Sequence, residues 1–235
     1  MGLPVVALVS VLVAAGVGLV VPAVPTSVAA PADPWHRLVS RGRQLWQESP
    51  DPGMPVACAT CHHDPESVRG WATAFPRFRP LPPPHGRVMT LLQANAEAVA
   101  RHYPDTDVRA TAVAITAYLT ARAEGRPVSP GVAPGEPAFP DRLAVLATSV
   151  TRGAVAFTTR CAGCHKAEVV APALVGWSRL VRAGAGPPEV FLEQHPPGAA
   201  PLPWDGRDVA DLLAYLTSRQ AGRALDLGPF RTAGR

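Results

Sequence analysis

Two copies of one five-residue run constrain this chain more than anything else in it: Cys58-Ala-Thr-Cys61-His62 and Cys161-Ala-Gly-Cys164-His165. The spacing is that of a covalent haem attachment site. Two thiols three positions apart can each add across one vinyl group of the same porphyrin. The histidine that follows is then held beneath the iron as its proximal ligand. All four cysteines lie in these runs, so no thiol remains for a disulfide or a nucleophile. Zinc is the rival occupant, since CxxC pairs with histidines also bind that metal. Zinc ribbons space their pairs about 15–20 residues apart. Here Cys61 and Cys161 are 100 positions apart, and each pair carries its own histidine. The expected cofactors are two covalently attached haem c groups, held by Cys58, Cys61 and His62 and by Cys161, Cys164 and His165.

A chain of 235 residues can hold one large or two small domains, and two haem motifs favour two small ones. A haem supplies apolar surface that lets each half stay small and still bury a core. With 28 prolines, 20 glycines and few charges, the composition suits short helices joined by irregular loops around a cofactor. The net charge of +4 is almost all arginine, Lys166 being the only lysine. That surplus is a solubility feature or a means of steering towards an acidic redox partner. No stretch interleaves aromatic with basic residues, which argues against nucleic acid as a partner.

Residues Leu3 to Val24 carry no charge, and Ser27-Val28-Ala29 follows as a small-x-small site. This reads as a secretory signal peptide over residues 1–29, although no basic residue precedes the apolar run. The run is also long enough to span a bilayer, so an uncleaved membrane anchor is the second reading. Both put the haem domains outside the cytoplasm, in the periplasm or its equivalent.

Helix signals follow. Asp33-Pro34 opens a helix reaching about Ser49, with Asp as cap and Pro at the first position. From His63 to Arg87 the density of proline predicts loop. Further helices are expected over 90–101 and, after the cap Asp107, over 108–123. Residues 127–142 form a proline-stiffened linker. The pattern then restarts with helices over 143–157, 188–194 and 209–219, and a basic tail over 223–235. Ala117-Tyr-Leu-Thr-Ala-Arg122 matches Ala214-Tyr-Leu-Thr-Ser-Arg219, which makes the halves two copies of one unit with altered loops.

A glycine-bearing helix, then CxxCH, then an Ala-Tyr-Leu helix resembles the plan of class I cytochrome c domains. The resemblance covers 33–126 and 143–222. It implies an all-α fold of two tandem cytochrome c-like helical domains, one haem each, joined by the proline-rich linker. It further implies that Gly42 and Gly153 permit a close crossing of first and last helices, with Tyr118 and Tyr215 as aromatic partners. The other reading of these four is ordinary helix core.

Such domains usually place a distal methionine shortly before the last helix. In the second half that place reads Pro201-Leu202-Pro203, and no methionine follows Met89. His195, the one histidine besides His165 after the linker, is the candidate distal ligand there. His102 is its counterpart in the first half: each ends a helix just before a proline turn. A helix C-terminus also suits a histidine for its charge alone, so the other reading is a solvent-facing side chain. Met89 is the rival for the first haem. The first half also faintly resembles diheme cytochromes of sulfur oxidation, which carry a cysteine ligand where Ala98 and Val99 stand here. His36, His63 and His85 are expected to face solvent.

Filled axial positions leave an iron only one-electron chemistry. The expectation is an exported diheme electron-transfer protein with no catalytic residue of its own. The alternative is a haem enzyme with one open site, peroxidase-like or acting on a small molecule or sulfur compound. A third reading is an assembly subunit whose haems serve a larger complex.

Overall fold

The computed structural model describes residues 33–63, 68–80, 86–133, 135–165, 186–195 and 200–227. Helix α1 (Pro34–Gln47) starts where the sequence sets it: the Asp33 carboxylate accepts the Trp35 N–H at 2.7 Å, and Pro34 fills the first position. Trp35, Gly42, Leu45 and Trp46 form its buried face. One turn, α2 (Cys58–Cys61), carries the first pair of thiols.

Residues 63–87 are not the continuous loop that their prolines suggest. The short helix α3 (Trp71–Ala74) is followed by an antiparallel pair, β1 (Arg77–Pro80) and β2 (Gly86–Met89), in which Arg77 faces Met89 and Pro80 faces Gly86. Proline is tolerated at the end of a two-stranded ribbon because edge positions need no partner for the missing N–H. Gly86 lies under the Phe78 ring, whose tip would have to move aside for a Cβ there.

Helix α4 (Leu91–His102) opens with a reciprocal cap, the Thr90 hydroxyl accepting the Gln93 N–H and the Gln93 side chain accepting the Thr90 N–H, both at 3.2 Å. Asp107 caps α5 (Val108–Arg122) through the Ala110 N–H at 2.9 Å. This helix is rich in Ala and Thr and buried on several sides, so small side chains let α1 and α4 both pack against it. Helix α6 (Pro140–Arg160) is longer than the expected 143–157 and buries a narrow stripe, Leu146, Ser149, Gly153 and Phe157. Helices α7 (Pro188–Gln194) and α8 (Arg207–Ser218) complete the described elements.

The duplication is visible in two equivalent helix crossings, α1 on α5 and α6 on α8. A Cβ on Gly42 would lie 2.6 Å from the Ala114 carbonyl carbon and 2.8 Å from Tyr118 Cβ; on Gly153 it would lie 2.6 Å from the Asp211 carbonyl carbon and 2.8 Å from Tyr215 Cβ. Both distances are shorter than real Cβ contacts, so only glycine admits these crossings. An aromatic pair marks each: Trp46 with Tyr118 at 6.1 Å and Phe157 with Tyr215 at 5.6 Å between ring centres. The second crossing adds a buried carboxylate, Asp211, held by the Arg152 guanidinium at 2.5 and 2.7 Å and by the Ser149 hydroxyl.

Residues from Ala32 onward form one compact unit. The segment expected as a linker is bonded to both halves. Ser129 N–H donates to the Thr73 carbonyl at 2.8 Å, and Val128 N–H to the Arg223 carbonyl at 2.8 Å. The start of the expected tail folds back, and Leu227 is buried with Trp35, Ala117 and Ala121. The Gln93 amide spans the halves as well, donating to the carbonyls of Trp204 at 3.0 Å and Gly206 at 2.9 Å. Among the described residues no helix is long and apolar enough to cross a membrane. Residues 3–24 and the cleavage site lie outside the described residues.

Candidate functional site

Each CxxCH run winds into one helical turn closed by the same bond. His62 N–H donates to the Cys58 carbonyl at 3.0 Å, and His165 N–H to the Cys161 carbonyl at 2.8 Å. Residues at i, i+3 and i+4 share a helix face, so each turn presents two thiols and an imidazole to the same side.

In the first half that side is the wall of an open cleft. Cys58, Cys61 and His62 line it together with apolar side chains such as Trp46, Val99 and Ile115. A mostly apolar lining with a few polar groups suits a large flat ligand. His62 is wedged between Trp46, at 5.9 Å, and the edge of Trp71, at 5.0 Å. The Cys58 Sγ lies 3.8 Å from the Tyr103 hydroxyl, which donates to the Val56 carbonyl at 2.7 Å. Burial pushes the Cys58 thiol up, and the Tyr103 hydrogen bond only partly offsets it. Cys161 is raised in the same way, with Arg160 opposing. A nucleophilic thiol needs a lowered pKa; these are set the other way.

His102 lines the same cleft as His62. Burial lowers the His62 pKa, and the nearby His102 charge adds to the effect. Met89 is fully buried in β2 and does not line the cleft. Ala98 and Val99 stand on the cleft-facing stripe of α4, one turn before His102. Asn95 and Met54 also line it, and sequence reasoning missed both. Asn95 falls seven residues before His102 on the same stripe, a signal available only once His102 is taken as a ligand.

In the second half His195, at the C-terminal cap of α7, faces His165 with 5.9 Å between ring centres. A metal-bound imidazole nitrogen sits about 2 Å from its metal, and the ring centre roughly 1 Å further back. Two imidazoles on opposite sides of one metal would thus have centres about 6 Å apart. The observed separation is of that size. Phe191 stacks on His195 at 4.8 Å and 19° and fixes its plane. Leu202, in the place of the usual methionine, is buried beside Phe157 and Leu192, in the cluster against which Cys161 packs. His63 is exposed and His36 half-buried; His85 lies outside the described residues.

No protein-family model matches the chain, and no curated protein matches its sequence. Among solved structures it is similar to the crystal structure of SoxXA from P. pantotrophus. That likeness has 18% identity and a TM-score of 0.52, and it covers 82% of this chain and 76% of the other. The fold is all-α and cytochrome c-like. At this identity the likeness speaks for the fold alone.

Proposed function

We propose that the chain is an exported diheme c-type cytochrome that passes single electrons between redox partners. Cys58 and Cys61 would tether one haem over His62, and Cys161 and Cys164 a second over His165. His195 would be the distal ligand of the second iron and His102 that of the first. The observation that carries this reading is the placing of His195 beside His165, the histidine of the second CxxCH turn, with 5.9 Å between ring centres. When bound, haem supplies one-electron redox chemistry. The protein's share is to fill both axial positions, exclude water with the Trp46 and Leu202 clusters, and hold each imidazole in one plane through Trp71 and Phe191. Paired imidazoles favour the ferric iron more than a histidine–methionine pair does, so both potentials should be low among c-type haems.

The resemblance of the first half to diheme cytochromes of sulfur oxidation and the likeness to SoxXA, a cytochrome of that group, point the same way. The cysteine ligand of that group is missing here, which favours electron transfer over sulfur chemistry. Mass spectrometry of the mature protein tests the haem count and leader cleavage together: two haem masses are expected, and none or one overturns the reading. A second reading, a haem enzyme with one open site, draws on Leu202 standing where a thioether ligand usually does. Carbon monoxide added to the reduced protein separates the two. No spectral shift is expected from six-coordinate haems, whereas a full shift at one haem would favour the enzyme.

A further inference from the structure

The two helices that end in candidate distal ligands, α4 with His102 and α7 with His195, are joined near their starts by one buried side chain. Glu189 in the first turn of α7 is 2% exposed. Its carboxylate accepts hydrogen bonds from the Thr90 hydroxyl and the Leu92 N–H at the start of α4, while Oε2 is buried without a partner. It lines a small, partly open cavity between the halves, with room for only a few water molecules. The other walls, from residues 72–76, α4, α5, α8 and the segments at Val128 and Leu225, are apolar or carry only hydroxyls (Thr90, Thr116, Thr120, Thr217). No other titratable or charged side chain among the described residues lines this cavity. The charged groups next along α7 and α8 are committed elsewhere, Glu193 to Arg109 and Asp211 to Arg152.

Polar contacts lead from this cavity to the first cleft. Thr116 lines the cavity, and its hydroxyl accepts the Asn95 amide at 2.8 Å. Asn95 in turn lines the cleft that holds His62 and His102. Towards the other site, six residues of α7 put Glu189 about 9 Å along the axis from His195. A buried carboxylate with one unpaired oxygen, standing between two redox centres, is badly placed to stay charged when an electron arrives nearby.

We propose that Glu189 is the redox-linked proton site of this chain. As a one-electron donor protein reduces a ferric haem, a solvent proton adds to the Glu189 carboxylate oxygen to give the neutral acid. When the ferrous haem is reoxidised, that proton leaves. Within the titration window each cycle thus couples the electron to uptake and release of part of a proton, which offsets part of the added interior charge. Burial already raises the proton affinity of this carboxyl, so it titrates above the ordinary carboxylate range. An electron on an iron held at His195 would raise that affinity further, by roughly tenfold for a separation of about 10 Å in an effective dielectric near 20.

The inference rests on the diheme reading, and its test separates the two. Potentiometric titration of the haem-loaded full chain at a series of pH values is the experiment, with Glu189→Gln alongside. Wild-type haem should hold electrons roughly tenfold more weakly above the titration window than below it, with flat limbs on either side. The E189Q protein should keep the same absorption spectrum and lose the pH dependence. Two haems with pH-independent potentials, or an E189Q variant with the wild-type dependence, overturn the proton proposal alone. A chain without haem overturns both. Should E189Q not fold, reduced-minus-oxidised infrared spectra of the wild type decide: a protonated-carboxyl band gained on reduction supports the proposal, and its absence overturns it.

Discussion

Gly153→Ala tests whether the second helix crossing is as tight as it stands. The added methyl would lie 2.6 Å from the Asp211 carbonyl carbon and 2.8 Å from Tyr215 Cβ, against ordinary contacts of 3.4 Å or more. The difference, 3.4 − 2.6, means that α6 and α8 must part by roughly 0.8 Å or more at the crossing. Neither obstacle is the tip of a flexible side chain, so relaxation has to move backbone. Overpacking in well-packed interiors costs about 1–3 kcal/mol, and a backbone clash belongs at the upper end, about 3 kcal/mol. For a unit of this size each kcal/mol is worth about 2–4 °C, which puts the loss at roughly 6–12 °C in Tm. The Cys161 turn continues directly from α6, its N–H donating to the Phe157 carbonyl at 2.8 Å, so the absorption of one haem should be disturbed as well. Gly163→Ala is the control, since a Cβ there meets nothing within 4 Å and should cost no more than about 0.5 kcal/mol. Thermal unfolding of the haem-loaded proteins, followed by haem absorption and circular dichroism, is the assay. Equal melting temperatures for the two variants would refute the reasoning.

Four more expectations can be checked on the same preparation. Met89→Ala should lower stability by about 2–5 kcal/mol, because it empties a fully buried site, while leaving the haem spectra alone. His102→Ala, at an exposed residue, should cost little stability but open the first haem to carbon monoxide; the reverse pattern would make Met89 the ligand. Tyr103→Phe removes the bond to the Val56 carbonyl and should cost about 1 kcal/mol without changing haem loading, as judged by denaturant titration. Glu189 has a folded pKa raised above its unfolded value, so the folded state favours its protonated form. Its cost to stability is absent below the unfolded pKa, grows as pH rises, and is complete above the folded pKa. The melting temperature of E189Q should therefore gain on wild type with rising pH, and a constant difference would contradict the assignment.

The parts of this fold legible in the sequence are those that depend on local chemistry. The caps at Asp33 and Asp107 and the CxxCH turns are set by residues within a few positions of one another. The glycine crossings came from the family resemblance, since nothing near Gly42 in sequence shows that Ala114 lies against it. The 63–87 region misled because proline density says where regular hydrogen bonding is interrupted, not where a short ribbon can form between the interruptions. Phe78 over Gly86 and the Arg77–Met89 register are contacts between two strands, beyond the reach of composition. Among the candidate ligands, His195 could be picked out by elimination. Where His102 and Met89 stand needed the third dimension: the histidine lines the cleft, whereas the methionine is buried outside its lining.

The tandem arrangement was readable, but the docking of the halves was not, and on the electron-transfer reading the docking matters most. Electron hand-over between two haems falls steeply with their separation, so a pair on a free linker would exchange electrons at a fluctuating rate. Here the segments that hold the ligands are the ones tied across the junction. Gln93 of α4 bonds to the backbone at Trp204 and Gly206, ahead of α8. Glu193, two residues before His195, pairs with Arg109 of α5, and Glu189 bonds to the start of α4. On that reading each half helps to hold the distal side of the other. A substitution that breaks the Gln93 or Glu193 tie should be felt at both haems, whereas Glu189→Gln keeps an acceptor towards the start of α4 and should not disturb the spectra. That shared dependence gives a physical reason for two copies of one small unit to be fused and packed rather than made as separate proteins.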